Sequence, residues 1–357
     1  MPASLPLTVP EPNASLAIDH LMGHAQIPHP PLVEYIVDDT ILRPVVAMMG
    51  REWTADRTGW LDNFAAFYRG LGYSLIKFEQ VLPFDSRHLV TADTTPFAQK
   101  DRAWSDQHRG VICSWADFEG YSWPKIEDFD FSAFEILSAR LPEGMGLMLS
   151  HAGGPFEKVS DLMSYEGMCI ALYDDFELVA AVQQRVGELM ERFYAHLLDL
   201  DRVVAIFPGD DMGFRSGTLI RPEHLRRLSL PWHQRYAQMA HAKGIPYFLH
   251  SCGNLVTIME DLIETVKIDA KHSYEDAIIP VDAFQERYGG RAGRIGVLGG
   301  LDLNILSGGT TEEVRARTRQ IIDTCNPRGR YGIGSGNSIP SYVPLENYLA
   351  MISEALN

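Results

Sequence analysis

The sequence predicts an α/β fold, a (β/α)8 TIM-type barrel, and three observations predict it. The chain is 357 residues long, enough for the roughly 250 residues such a barrel needs plus insertions. Eight short apolar runs, each too brief for a helix and rich in β-branched or aromatic residues, recur along it. Longer amphipathic stretches separate them, and strand–helix alternation demands right-handed crossovers and a parallel sheet covered by helices. No Gly-x-Gly-x-x-Gly follows the first run, which argues against a dinucleotide-binding sheet.

The runs read as strands are residues 32–36, 74–78, 146–149, 203–207, 246–249, 268–270, 295–298 and 331–333. An N-terminal tail, residues 1–15, precedes the first. After the second, residues 83–130 break the rhythm with Trp104, Trp115 and Trp123 and an alternating stretch at 110–114. They predict an inserted flap, a hairpin with loops folded over one barrel mouth; a flap with no ligand role is the alternative. Pro222 and Glu223 suit a first helical turn. Thr310 and Glu313 have the spacing of a capping box. A long amphipathic helix is expected from Phe176 to about Leu200. No repeat or linker divides the chain, so one barrel domain over residues 1–357 is expected.

Thirty-one basic residues against forty-seven acidic ones leave a formal charge of −16. That disfavours nucleic acid, whose phosphates need a basic surface. No apolar run reaches the length required to cross a bilayer. The N-terminal stretch lacks a basic region followed by an apolar one, so no signal peptide is expected. Cys113, Cys169, Cys252 and Cys325 do not make a disulfide framework, and the expectation is the reducing cytoplasm.

In a β/α barrel the chemistry lies at the C-terminal ends of the strands, and polar residues gather there. Lys77-Phe78-Glu79 ends the second run and His151 follows the third. Asp210-Asp211 follow the fourth, His250-Ser251-Cys252 the fifth, His272 through Glu275 the sixth, and Ser335 and Asn337 the eighth. A neutral imidazole and a thiolate two residues apart can grip one soft cation such as zinc, which needs a third ligand; the alternative is a buried thiol beside a hydrogen-bonded histidine. Two adjacent carboxylates raise each other's pKa, so Asp210 or Asp211 can serve as a general acid; the alternative is that one caps a helix. His272 suits a ligand, a proton carrier or a structural histidine. Glu79 ends an apolar strand, where an uncompensated charge is costly, so it is paired, functional or both.

The order Gly209-Asp210-Asp211-Met212-Gly213, Leu249-His250-Ser251-Cys252-Gly253-Asn254, Gly334-Ser335-Gly336-Asn337-Ser338 and Val343-Pro344-Leu345-Glu346-Asn347-Tyr348 resembles the uroporphyrinogen decarboxylase superfamily. More narrowly it is similar to the corrinoid-dependent methyltransferase branch. Tetrapyrrole decarboxylases carry an early Arg-Gln-Ala-Gly-Arg stretch, and this chain has Pro31-Leu32-Val33-Glu34-Tyr35 there. The resemblance implies a β/α barrel, a cavity substrate, and zinc on His250, Cys252 and a further cysteine. Ser335 stands where that cysteine is expected. Glu79 is taken as the replacement ligand, with Asp211 or His272 as alternatives, or the metal is absent. Catalysis then falls to Asp210, Asp211 and His272, and substrate contacts to Glu34, His151, Glu275, Ser335 and Asn337.

The expected reaction is removal of a methyl group from a small methoxylated, aromatic compound and its transfer to a separate corrinoid carrier protein, which brings the cobalamin. A metal-independent decarboxylase or lyase acting on a small acid is the first alternative, a noncatalytic ligand-binding barrel the second. A homodimer is expected only by analogy with the superfamily.

Overall fold

Parallel strands form where the sequence places its short apolar runs. The computed structural model of the protein describes residues 5, 10–54, 56–91, 102–290 and 294–357. Its principal strands are β1 (Leu75–Val81), β2 (Gly146–Ala152), β3 (Val203–Ile206), β4 (Phe248–His250), β5 (Ala270–His272), β6 (Gly296–Leu298) and β7 (Tyr331–Gly332). β1–β2–β3 form one parallel ladder and β4–β5–β6–β7 another. Parallel bridges Ile206–Tyr247 and Gly209–His250 join β3 to β4. The first apolar run is held by isolated bridges, Leu32–Ile333 and Val37–Ile339, and so lies beside β7. Across the remaining seam, between that run and β1, side chains make the contact: Lys77 Nζ lies 3.5 Å from the centre of the Tyr35 ring.

Side chains alternate along a strand, and two buried clusters record the alternation. The smaller one joins Val33, Tyr35, Leu75, Met148, Ala205, Phe207, Phe248, Ala270 and Leu298. These define an inner face. Helix α1 (Ala14–Met22) adds Ala14, Ala17 and Leu21 to that cluster. α1 begins within the stretch read as tail. Asn13 Oδ1 accepts from Leu16 N at 2.9 Å, and Gly23 ends the helix at φ 82°, the conformation glycine adopts without strain.

The larger cluster lies between the strands and the helices outside them. Those helices include α2 (Pro155–Met163), α3 (Phe176–Leu197), α4 (Leu230–Ala242), α5 (Thr311–Cys325) and α6 (Leu345–Ala355). α5 starts in the expected capping box: Thr310 Oγ1 accepts from Glu313 N at 3.2 Å, and Glu313 Oε2 accepts from Thr310 N at 2.8 Å. Within the insertion, His88–Thr91 pairs antiparallel with Arg102–Ser105. Residues 92–101 and the side chain of Trp104 lie outside the described residues. Trp115 Nε1 ties the insertion to Asp175 Oδ2 at 2.9 Å. Among the described residues no helix is long and apolar enough to cross a membrane, and all four cysteines are free.

Candidate functional site

The alternation that puts Leu75 and Met148 on the inner face also puts Lys77, Glu79 and Ser150 there, nearer the C-terminal ends. His250 follows Phe248 by two residues, and His272 follows Ala270 by two. The two histidines are register partners across β4 and β5. An apolar inner layer is thus topped by a polar one at a single rim.

At that rim Asp211, His250 and Cys252 offer one carboxylate oxygen, one ring nitrogen and one sulfur, all within 4.8 Å of one another. His250 Nε2 is 3.4 Å from Cys252 Sγ and 3.6 Å from Asp211 Oδ1. Asp211 also accepts from the backbone N–H of Cys252 at 2.8 Å. Glycine permits this approach: a Cβ on Gly213 would sit 2.5 Å from Cys252 O, and one on Gly253 (φ 81°) 2.3 Å from Gly213 C. Asn337 Nδ2 donates to Cys252 Sγ at 3.3 Å, and Ser273 Oγ lies 3.7 Å from the sulfur. Behind the cluster, His250 Nδ1 meets His272 Nδ1 at 2.7 Å, and His272 Nε2 lies 3.1 Å from Ser335 O.

The electrostatics are those of electron-pair donors gathered in a buried setting beside the amine of Lys271. Burial, then the neighbouring Asp211 charge, pushes the Cys252 thiol up to about 12. Burial raises the Asp211 carboxyl, opposed by hydrogen bonds from Cys252. Burial drives His250 well below the usual imidazole range and His272 down to about 3, so both rings are neutral at physiological pH. A divalent cation between these groups would reverse the preference for protons, because metal binding displaces them. Nitrogen, sulfur and oxygen are all zinc ligands, and three protein donors leave the fourth position open. The donor set fits the metal.

The remaining expected site residues separate by the face they occupy. Glu79 is inward but pairs with Lys77, a buried ammonium, and accepts from Ser150 Oγ at 3.3 Å. It stands outside the donor cluster, whose carboxylate oxygen comes from Asp211. Asp210 points away from its neighbour: both oxygens are used, accepting Phe156 N at 3.1 Å, Glu157 N at 3.0 Å and meeting His233 Nε2 at 2.8 Å. It caps α2 from a neighbouring strand end and is 0% exposed, whereas the Asp211 side chain is 40% exposed. Only the latter can meet a substrate.

Glu34 is outward and buried; Ser335 N and Oγ reach its carboxyl at 3.0 and 2.6 Å. It staples the first apolar run to the loop after β7, and Ser335 spends its side chain there rather than on the cleft. His151 is also outward, among Phe193, Tyr194 and Tyr236, with Nδ1 at 2.9 Å from Gly153 O. Glu275 is half-buried in the turn beyond β5, where its carbonyl accepts from Ile278 N and Ile279 N. His272 meets His250, not the open cleft.

Tyr35 and Glu157 escape the sequence reading, and Lys77, named there only as part of a strand end, joins them at the rim. Tyr35 stacks on His250 with ring centres 3.8 Å apart and planes 9° apart; alternation from Val33 would have selected it over Glu34. Lys77 is buried on the inner face with Glu79. Glu157, in the first turn of α2, sits beside Asp210 and Asp211, and burial with their charges pushes its carboxyl up to about 8. No signal along the chain links Glu157 to those aspartates.

A profile of the family described as uroporphyrinogen decarboxylase (URO-D) matches residues 107–356, more than two-thirds of the chain. The chain belongs to the uroporphyrinogen decarboxylase family. The fold of this family member superposes on a methyltransferase from Methanosarcina mazei with a TM-score of 0.67 at 15% identity, covering 97% of this chain and 98% of that one. An intracellular xylanase from Thermoanaerobacterium saccharolyticum gives a TM-score of 0.36 at 12% identity over 60% of this chain and 73% of that one, too slight a likeness to carry argument. No curated protein matches by sequence.

Proposed function

We propose that this member of the uroporphyrinogen decarboxylase family is a methyltransferase of the corrinoid-dependent branch. It holds zinc on Asp211, His250 and Cys252, takes a methyl group from a small methoxylated, aromatic compound and passes it to a separate corrinoid protein. The reading closes the ring of strands at the Tyr35–Lys77 seam, so that the rim encloses one cavity. The observation that carries it is the convergence of three donor atoms within 4.8 Å at two adjacent strand ends. The shared fold with the Methanosarcina mazei methyltransferase supports the transfer reaction.

A zinc ion held there supplies Lewis acidity toward an ether oxygen. Asp211, an oxygen donor where the branch has a second thiolate, makes the site harder and better matched to oxygen. Asn337 orients the sulfur from one side. Tyr35 covers one face of the His250 ring and keeps water from it. Glu157, whose carboxyl is raised to about 8 by burial and the charges of Asp211 and Asp210, takes the general-acid role expected of Asp210 or Asp211 and delivers a proton to the departing phenolic oxygen.

Metal analysis of the wild type beside His250→Ala, Cys252→Ala and Asp211→Ala tests the site, with about one zinc per chain expected only in the wild type. Incubation with Co(I) cobalamin and a panel of methoxyarenes tests the reaction. Methylcobalamin is the expected product; metal-free protein with no transfer would end the proposal. The lyase alternative would draw on His272 and Asp211 without metal, and both nitrogens of the His272 ring are already engaged behind His250. Carbon dioxide release indifferent to a chelator would revive it.

A further inference from the structure

We infer that His272 is a positioning residue that fixes the proton of His250 on Nδ1, leaving the Nε2 lone pair aimed at Asp211 and Cys252. The inference rests on reading those three side chains as a cation site. A hydrogen-bond chain with one fixed end decides the protons. Ser335 O is a carbonyl and can only accept, so His272 Nε2, 3.1 Å away, carries the hydrogen.

The other ring nitrogen of His272 meets His250 Nδ1 at 2.7 Å and, among the described residues, no carboxylate. His272 is fully buried, so a second proton on it would be a cation buried without an anionic partner. Its Nδ1 is therefore bare and accepts the hydrogen on His250 Nδ1. A neutral imidazole has one N–H, so His250 Nε2 has none. That nitrogen is the one 3.4 Å from Cys252 Sγ and 3.6 Å from Asp211 Oδ1.

Two features hold the relay in place. β4 and β5 pair His250 with His272 in register, so both side chains leave the inner face at one height. Tyr35 lies flat on His250 and sets its ring plane. The tautomer a metal requires is thus installed before any metal arrives. A ligating histidine generally donates its other N–H to an acceptor that fixes the ring. Here the acceptor is a second imidazole, itself anchored on a backbone carbonyl.

The direct test is a two-bond proton–nitrogen spectrum of the metal-free, full-length protein with nitrogen-15-labelled imidazoles, assigned with His250→Ala and His272→Ala. The hydrogen should reside on Nδ1 of His250 and on Nε2 of His272; a hydrogen on His250 Nε2 would overturn the inference. The second test is Co2+ affinity. His272→Phe should weaken it roughly 10–100-fold, and His272→Asn, whose amide oxygen replaces the acceptor, should restore most of it. Unchanged affinity in His272→Phe would also overturn the inference. Wild-type protein that shows the expected tautomers yet binds no Co2+ upholds the relay and removes the metal reading instead.

Discussion

Asp210 and His233 form a fully buried pair, Oδ2 to Nε2 at 2.8 Å, with neither side chain exposed. His233 continues to Tyr247 Oη at 2.7 Å, so one carboxylate ties β3, α2 and α4 together. Its neighbour Asp211 faces the cleft. Adjacent and chemically identical, the two residues have different tasks.

Their variants should therefore fail differently. Asp210→Ala leaves two N–H groups of α2 without their cap and His233 without its partner, and should cost about 3 kcal/mol or more. Asp211→Asn should change stability by only about 1 kcal/mol while abolishing metal binding. Urea unfolding of both variants, read beside their zinc content, checks the division; loss of metal in both with equal stability would contradict it.

Glu79→Gln separates ion pairing from ligation. Lys77 is buried, and Glu79 is its acidic partner. Removing that charge should destabilise the protein by about 2 kcal/mol, below the cost for a wholly buried pair because Glu79 is partly exposed. Zinc stoichiometry should stay at the wild-type level. Loss of zinc would return Glu79 to the ligand set.

Glu34 makes stability fall with pH. Burial lifts its carboxyl from 4.5 to about 8, against hydrogen bonds from Ser335. A raised acid holds its proton in the folded chain and loses it in the unfolded one. Its contribution is complete below pH 4.5 and declines as pH rises to about 8. Ser335 Oγ lies 2.6 Å from both Glu34 Oε2 and Asn337 O; its single hydrogen goes to the Asn337 carbonyl, which can only accept, and a protonated Glu34 donates to Oγ. Glu34→Gln can reproduce that pattern without titrating. Its denaturation midpoint should drift less than the wild type between pH 5 and pH 8; the same drift in both proteins would contradict the assignment.

Much of this was legible in the chain because parallel strands buried on both faces read as short apolar runs, and Thr310 and Glu313 announce a helix start by themselves. His250, Cys252 and Asp211 were legible because strand ends converge wherever such strands form. Spacing along the chain does not resolve direction at single residues. Tyr35 rather than Glu34 faces inward, and Ser150 rather than His151, because a strand end reverses direction at every residue. Asp210 and Asp211 lie just past the regular alternation, where φ and ψ rather than spacing decide direction. Glu157 was invisible because its partners come from another strand. The family resemblance turns Ser335 toward the cleft, and Glu34 draws it the other way.

Asp211, His250 and Cys252 are proposed to bind one cation together. X-ray absorption at the zinc edge of the metal-loaded, full-length protein tests it most directly. One sulfur neighbour is expected at about 2.3 Å, with the remaining nitrogen and oxygen neighbours at about 2.0–2.2 Å, and loss of the sulfur signal in Cys252→Ser. A spectrum with no sulfur neighbour, or one unchanged in that variant, would contradict it.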